Sequence, residues 1–250
     1  MVIKLAGRRI KVETVHDSTL ALCREYVDTV PGFVDFTVTT TAADIDYERE
    51  KSRREDQREG IPVRHFSDEY LETLAVYRKI AEVMPQYDTV LFHGSCVAMD
   101  GVGYLFTAKS GTGKSTHTRL WRERFGERAV MVNDDKPLIH ISAGLATVYG
   151  TPWDGKHRLS RNIAVPLRAI CLLDRDTENH IREIQYSEAL PMLLQQVYRP
   201  ADPTALVQTL TLLDKLGKTV KLYRLSCNMH PEAAQVAYAG MKGNKHETEA

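Results

Sequence analysis

The sequence predicts an α/β protein in which a mixed, strongly bent β-sheet surrounds one helix, with a small N-terminal α+β portion. Three observations lead to this prediction: short apolar strand patterns fill the middle of the chain, amphipathic helix patterns flank them, and a glycine-containing loop joins one strand to one helix. Asp100-Gly101 between two strand patterns favours a hairpin, so an all-parallel sheet is disfavoured. We expect an N-terminal subdomain over 1–85, a main core over 86–242 and a flexible tail over 243–250.

The composition is that of an ordinary globular protein. The chain has 250 residues, 43% of them hydrophobic, and its 33 basic residues balance its 33 acidic residues. General nucleic-acid binding favours a basic excess, and a membrane span needs about 20 apolar residues in a row. Neither feature is present, so we expect no nucleic-acid partner and no membrane partner. Four scattered cysteines and the lack of a signal-peptide pattern predict reduced thiols and a cytoplasmic location.

The N-terminal portion alternates strand and helix patterns. We expect strands within 2–14, a short helix over 18–27 and a half-buried strand over 34–39. The mixed charges of 44–60 predict a solvated helix or a mobile loop, with a docking surface as the alternative. Ser67 and the acids after it favour the start of an amphipathic helix.

The main core begins with a strand-rich block and ends with helices. Strands are predicted over 89–99, 103–107, 129–132, 138–141 and 169–173. Asp202-Pro203 predicts a capped helix start, and we expect Gly217 to end that helix. A strand over 219–225 and a final helix over 231–241 complete the prediction.

The strongest functional signal is the segment Ala108–Thr116, which matches the phosphate-binding P-loop (Walker A) pattern except that Ala108 replaces the usual first glycine. Backbone N–H groups of such a loop and of the following helix surround phosphates. We therefore expect nucleotide phosphates to bind at Ser110, Gly111, Thr112, Gly113, Lys114, Ser115 and Thr116. Lys114 would reach the terminal phosphates, and the Ser115 hydroxyl would hold Mg²⁺.

A P-loop needs a carboxylate near its metal ion, and the sequence offers two strand-end candidates. The apolar run 129–132 leads into Asn133 and the pair Asp134-Asp135, whereas 169–173 leads into the single Asp174. We favour the pair, because one carboxylate can bind Mg²⁺ while the other accepts a proton from an attacking hydroxyl. The alternatives are an ordinary turn at Asp134-Asp135 and a solvated loop acid at Asp174.

The order of these motifs resembles the catalytic domain of HPr kinase/phosphorylase and the core of ATP-dependent phosphoenolpyruvate carboxykinase. The similarity is greatest to compact HPr-kinase-related proteins, and it is most specific over 91–173. It implies a P-loop core with a mixed, bent sheet. The stretches that carry it are His93-Gly94-Ser95, Gly101–Phe106, Ser110–Ser115, Asn133-Asp134-Asp135, Gly150–Lys156 and Leu225–Cys227.

The resemblance also implies roles for individual residues. Lys114 and Ser115 match the phosphate and Mg²⁺ positions, Asp134 the proton acceptor and Asp135 a metal ligand. His93 matches a histidine that serves as a second metal ligand or a phosphate contact, with an ordinary strand histidine as the alternative. Arg158 matches a signature arginine of the family. Three basic residues lie close together in this part of the sequence, Lys156, Arg158 and Arg161. They suggest either a clamp on a transferring phosphoryl group or a solvated basic loop.

The sequence therefore predicts a Mg-ATP-dependent kinase that phosphorylates a serine-like hydroxyl on a small molecule, a peptide or a small protein. One alternative is a nucleotide-binding regulatory switch without phosphoryl transfer. In that case the charged segment 44–60 would be the surface that docks a partner. Another is a kinase that uses ADP, GTP or pyrophosphate as donor, because the loop pattern recognises only phosphates. The sequence allows a homo-oligomer, and it does not identify the acceptor.

Overall fold

The computed structural model describes residues 1–155 and 157–243, and these form two compact units, one over Met1–Val83 and one that begins at Met84. Lys156 and residues 244–250 of the predicted tail lie outside the described residues. Within the described ranges, no helix is both long and apolar enough to cross a membrane.

The first unit combines a small sheet with helices. Strand β1 is antiparallel to β2, and β2 is parallel to β3. Ile3, Ile10 and Val38 are buried, as the alternating sequence pattern predicts. The two strands within 2–14 are confirmed, while the expected helix over 18–27 is shorter and continues as a 3₁₀ turn, Arg24–Tyr26. The elements are β1 (Val2–Leu5), β2 (Arg8–Glu13), α1 (Ser18–Leu22), β3 (Phe36–Thr39), α2 (Ala42–Glu59) and α3 (Asp68–Val83).

The charged segment 44–60 is helical, so the mobile-loop alternative is wrong. A capping box between Thr41 and Asp44 opens α2, and Gly60 ends it in a left-handed conformation with φ of +68°. Ion pairs such as Arg53–Glu50 join charges one turn apart. Others bind α2 to α3, as in the pair of Lys79 with Asp44 at 2.9 Å. Many of the mixed charges of α2 are therefore paired with one another or with α3.

The second unit is built on a mixed sheet, as predicted. In it β10 is parallel to both β6 and β12, whereas the pairs β4–β8, β8–β9, β9–β10, β5–β6, β5–β7 and β11–β12 are antiparallel. Its strands are β4 (Thr89–Leu91), β5 (Ser95–Met99), β6 (Val102–Thr107), β7 (Ala129–Asn133), β8 (Leu138–Ser142), β9 (Leu145–Tyr149), β10 (Ala164–Arg175), β11 (His180–Glu183) and β12 (Lys221–Cys227).

The hairpin predicted at Asp100-Gly101 is confirmed between β5 and β6. Both turn residues have positive φ, +52° for Asp100 and +81° for Gly101. A tight two-residue turn of this kind requires positive φ at both positions, and Asp-Gly is a preferred pair there.

Helices cover both faces of the sheet because side chains alternate along each strand. Leu105 packs in one core with helices α5 and α6, while its neighbours Tyr104 and Phe106 pack in the other core with α4 and α7. Trp121 of α4 is fully buried in the second core. The helices are α4 (Lys114–Phe125), α5 (Tyr186–Gln196), α6 (Pro203–Thr219) and α7 (Glu232–Met241).

The expectation that Gly217 ends α6 is wrong, since the helix continues to Thr219. A Cβ atom at Gly217 would lie 2.2 Å from Cδ2 of Tyr186 on α5. The glycine therefore makes room for a neighbouring helix. The start of α6 is as predicted, because the Asp202 carboxylate accepts a hydrogen bond from the backbone N–H of Ala205 at 2.8 Å.

Candidate functional site

The loop between β6 and α4 has the conformation that its glycines allow. Gly111 and Gly113 have φ of +75° and +124°, values that other L-residues rarely adopt. Ala108 is only 1% exposed, so a small side chain fits where the P-loop pattern has glycine. Ser110 and Ser115 are exposed, whereas Thr112, Lys114 and Thr116 are half-buried. The segment thus forms a strand–loop–helix unit, in which the hydroxyls of Ser115 and Thr116 lie in the first turn of α4.

Arg175, at the end of β10, holds this loop from one side. Its Nε donates to the carbonyl oxygen of Thr112 at 3.2 Å, and its Nη2 donates to that of Gly111. These bonds satisfy two loop carbonyls. No sequence motif pointed to Arg175, because only the parallel pairing of β10 with β6 brings the two strand ends together.

Lys114 begins α4 and is half-buried at the loop. Its Nζ donates to the carbonyl oxygen of Ala108 at 3.2 Å. Burial lowers the pKa of Lys114, and the negative charges of Asp135 and Asp134 oppose this shift. The structure therefore brings the predicted lysine and the predicted carboxylate pair within electrostatic reach of each other.

Asp134 is a buried carboxylate, with 5% of the residue exposed. It accepts a hydrogen bond of 2.6 Å from the Ser95 hydroxyl, which lies 2.8 Å from the hydroxyl of Thr118 on α4. A Cβ atom at Gly155 would come within 2.8 Å of Asp134 Oδ2, so the glycine allows backbone to approach the carboxylate closely. Asp134 is thus connected through two hydroxyls to the helix that begins with Lys114.

Asp135 occupies a more open position beside His93. Nε2 of His93 lies 3.2 Å from Oδ1 of Asp135, and Nζ of Lys136 lies 3.6 Å from Oδ2. Burial raises the pKa of Asp135, but the His93 hydrogen bond and the charges of Lys136, His93 and Lys114 outweigh it and leave the pKa below its usual value. The carboxylate is therefore held in its charged form.

Asn133 shapes the turn that carries both aspartates. Its side-chain oxygen accepts hydrogen bonds from the backbone N–H groups of Asp135 and Lys136, at 2.9 and 2.6 Å. Its amide nitrogen donates to the carbonyl oxygens of Thr151 and Trp153. The sequence motif includes Asn133 but does not predict its role, because its partners Thr151 and Trp153 are distant along the chain.

The structure places Arg158 and Arg161 in the irregular segment that follows β9, and both are exposed. Arg158 has a positive φ of +49°, and its backbone N–H donates to Gly155 at 3.2 Å. The predicted clamp also includes Lys156, which lies outside the described residues. Trp153 is 5% exposed, in agreement with a packing role.

The residues present fit a magnesium ion that is bound together with phosphates. In the described ranges, no three His, Cys, Asp or Glu side chains cluster in a way that could hold a metal ion by themselves. Mg²⁺ bound with a nucleotide typically takes one or two carboxylates, phosphate oxygens and water. Asp135 suits this chemistry, because its half-buried carboxylate is held in the charged form, and Asp134 is a second carboxylate next to it in the chain.

No protein-family model matches this sequence, and no curated protein matches it. Among solved structures, the chain is similar to the HPr(Ser) kinase/phosphatase from Coxiella burnetii, with 11% sequence identity over 61% of this chain and 99% of that chain, and a TM-score of 0.33. A TM-score this low carries no argument about function.

Proposed function

We propose that this protein is a Mg-ATP-dependent kinase that transfers a phosphoryl group to a serine-like hydroxyl on a small molecule, a peptide or a small protein. The observation that carries the proposal is the hydrogen-bonded connection of Asp134, through the hydroxyls of Ser95 and Thr118, to the first turn of α4, the helix that begins with Lys114. A phosphate-binding loop, a cation for the terminal phosphates and two carboxylates are the parts that phosphoryl transfer requires.

The loop and Lys114 would bind the donor phosphates. Loop N–H groups and the N-terminus of α4 favour anions, and the Lys114 ammonium group would offset the charge of the transferring group. Arg175 would keep the loop in one conformation through its bonds to Gly111 and Thr112. Mg²⁺, when bound through Ser115 and a carboxylate, would supply further charge stabilisation.

The two aspartates would divide the remaining tasks. In the transfer, a bond forms between the acceptor oxygen and phosphorus, the bond to the bridging oxygen of the donor breaks, and the acceptor proton passes to a carboxylate. Asp134 is the proposed proton acceptor and Asp135 the proposed metal ligand, with His93 beside it at 3.2 Å. Because the two carboxylates are neighbours, they would titrate as a pair.

The alternative of a regulatory switch rested on the charged segment 44–60 as a docking surface. Many charges of α2 are paired with charges one turn away or on α3, as in Arg53–Glu50 and Lys79–Asp44. This pairing accounts for the charged composition without a partner protein. We therefore place the kinase first.

The test is transfer of terminally labelled phosphate from ATP into a cell extract supplemented with amino acids, with products separated by size. We expect Lys114→Ala to remove at least 99% of the label, since the loop loses its cation. Lys218→Ala is the matched control, because Lys218 pairs with Asp214 on exposed α6 and should leave labelling unchanged. Full labelling by Lys114→Ala would overturn the proposal. Nucleotide binding without any Lys114-dependent product would favour the switch.

A further inference from the structure

A buried pair of hydroxyl groups lies between the sheet of the second unit and α4. Ser95 and Thr118 have no exposed surface, and their side-chain oxygens are 2.8 Å apart. Ser95 is the first residue of β5, and Thr118 lies in the second turn of α4. Burying a hydroxyl is unfavourable unless it forms hydrogen bonds, and alanine or valine would fill the same space without that cost. The pair is therefore best explained by the group that it contacts, the Asp134 carboxylate.

The strand register brings Ser95 to Asp134. Strands β5 and β7 are antiparallel and pair Cys96 with Asn133, so the next residues opposite each other are Ser95 and Asp134. The Ser95 hydroxyl is 2.6 Å from Oδ1 of Asp134. The other carboxylate oxygen, Oδ2, lies on the side of Gly155, where a Cβ atom would come within 2.8 Å of it. The contact therefore uses one oxygen and leaves Oδ2 without a hydrogen bond from the described residues.

The charge of the carboxylate sets the direction of these hydrogen bonds. An ionised carboxylate only accepts, so Ser95 donates its one hydroxyl proton to Asp134. The Ser95 oxygen then accepts from Thr118 at 2.8 Å. The alternative acceptors for Thr118 are the carbonyl oxygens of Lys114 and Ser115, which are farther away at 3.4 and 3.3 Å. Successive hydrogen bonds strengthen one another in a buried site, so Ser95 links Asp134 firmly to α4.

Asp134 needs such a support because a carboxylate rotates readily about its last side-chain bond. The terminal torsion of an aspartate has only a broad, two-fold preference. A misplacement of a reacting group by about 1 Å can slow a transfer about a hundredfold. Among the described residues, the Ser95 hydroxyl is the only hydrogen-bond donor to the Asp134 side chain. It therefore controls the orientation of the carboxylate.

We propose that Ser95 and Thr118 are positioning residues for the proton acceptor Asp134. They hold Oδ1, so that Oδ2 receives the acceptor hydroxyl at a fixed distance from the helix that begins with Lys114. As the acceptor oxygen bonds to phosphorus and the bond to the bridging oxygen of the donor breaks, the acceptor proton passes to Oδ2. Neither hydroxyl touches the reacting atoms. The inference rests on the proposed function and deepens it, because the sequence motifs predict no role for these two hydroxyls.

The first test is steady-state kinetics of the whole chain with ATP and the acceptor identified by labelling. Ser95→Ala should lower kcat about tenfold to a hundredfold, because the carboxylate loses its orientation. The KM for ATP should stay within about twofold of wild type, and so should the Kd of a non-hydrolysable ATP analogue measured by calorimetry, because the loop and Lys114 are intact.

A matched pair at Thr118 separates the hydroxyl from the packing of the side chain. Thr118→Val keeps the shape and removes the hydroxyl, so it should lower kcat about threefold to tenfold. Thr118→Ser keeps the hydroxyl and should have a kcat within about twofold of wild type. Equal kcat values in the two variants would overturn the role of Thr118. The pair decides the question even if Ser95→Ala fails to fold.

Thr209→Val is the control for the loss of a buried hydroxyl as such. Thr209 on α6 is 1% exposed, and its hydroxyl donates to the carbonyl oxygen of Ala205, one turn earlier, at 2.8 Å. Because this bond lies within α6, kcat should stay that of wild type. A loss of kcat as large as that in Thr118→Val would show that any such deletion slows the protein, and the inference would fail.

The double variant with Ser95→Ala and Thr118→Val tests whether the two hydroxyls act as one link. Without Ser95 the link is already broken, so the double variant should have the kcat of Ser95→Ala within about twofold. Effects that multiply would indicate two independent packing defects and overturn the link. Full kcat in Ser95→Ala, with transfer that still depends on Lys114, would overturn this inference alone. Absence of Lys114-dependent transfer in wild type would overturn the proposed function together with it.

Discussion

Each unit of the protein contains a buried carboxylate, and the two differ in the number of hydrogen bonds that they accept. In the first unit, Glu72 of α3 has no exposed surface and accepts three hydrogen bonds, from the backbone N–H groups of Val15 and His16 and from the hydroxyl of Thr40, at 2.6 to 2.8 Å. In the second unit, Asp134 is 5% exposed and accepts a single hydrogen bond from the described residues, that of Ser95.

This difference separates a carboxylate that supports the fold from one suited to a ligand. Burial of a charged group is costly unless hydrogen bonds or opposite charges compensate it. Glu72 accepts three hydrogen bonds within its own unit, whereas Asp134 retains unused acceptor capacity among the described residues, near the loop that precedes α4. An incoming cation or hydroxyl would complete the surroundings of Asp134. We therefore expect opposite consequences when each carboxylate is converted to an amide.

The largest expected effect is that of Asp134→Asn on transfer. The variant should lower kcat by about 10²–10⁴-fold, because it removes either the proton acceptor or a metal ligand. Its Tm should stay equal or rise, since the Asn side-chain oxygen can still accept from Ser95 while a buried charge is lost. The measurements are single-variant kinetics on the acceptor identified by labelling, and thermal unfolding.

The control for this variant is Asp100→Asn at the hairpin turn. Asp100 pairs with Arg128 at 2.7 Å, and both side chains are about half exposed, so little stability depends on the pair. Activity should equal that of the wild type. If Asp134→Asn lost activity and Tm together, Asp134 would be a structural carboxylate like Glu72, and the contrast would fail.

The second effect is on stability. Glu72→Gln should destabilise the first unit by about 1–3 kcal/mol, because the Gln amide group would face a backbone N–H donor and leave it unsatisfied. Hydrogen exchange followed by mass spectrometry should show faster exchange within residues 1–83 and unchanged exchange around the loop of Gly111 and Gly113. Unchanged exchange near Val15 and His16 would contradict the structural role of Glu72.

The smallest effect is a pH dependence within the first unit. Asp56 of α2 accepts hydrogen bonds from the side chain and the backbone N–H of Arg64, and these bonds lower the pKa of Asp56. A carboxyl group whose folded pKa is below its unfolded value of about 3.9 stabilises the fold above that value. This stabilisation is lost as the pH falls through the folded pKa.

We therefore expect wild type to have a higher Tm than Asp56→Asn at pH 7, and the difference to shrink as the pH falls below about 3.9 and then through the folded pKa. Thermal unfolding of both proteins across this range measures it. A difference that stays constant with pH would show that the charge of Asp56 contributes nothing beyond the shape of its side chain.

The predictable parts of the fold depend on residues that are adjacent in the chain. The Asp100-Gly101 hairpin follows from turn chemistry, and the start of α6 follows from Asp202 as a cap with Pro203 after it. The end of α6 was not predictable in this way. Gly217 continues the helix because Tyr186 on another helix packs against it, and no local pattern contains that contact.

Other elements were missed, most of them for a similar reason. Strand β11 (His180–Glu183) is short and gains its hydrogen bonds from β12, far along the chain. Strand β9 (Leu145–Tyr149) pairs with its neighbour β8 across the turn Ala143-Gly144 and also with β10, so the missed signal there was a local turn. Helix α5 contains Pro191, a residue that disfavours a helix interior. Its position against the sheet through Ala189 and Leu193 supports it. For such elements, contacts with the rest of the sheet and its helices determine the secondary structure, because the local sequence favours it weakly or disfavours it.

By itself, the sequence determined the α/β class, the loop Ala108–Gly113 with Lys114 after it, and the pair Asp134-Asp135, because each depends on a short run of neighbouring residues. Only the tertiary structure decided what surrounds these groups. Ser95 and Asp134, which share a hydrogen bond, are 39 positions apart in the chain, and Arg175 is 64 positions from Gly111, whose carbonyl oxygen it contacts. A cavity beside His117 is likewise lined by strand ends that are distant in the sequence. Such contacts form only when the chain folds, since burial of the sheet between its helices, and no local preference, brings them together.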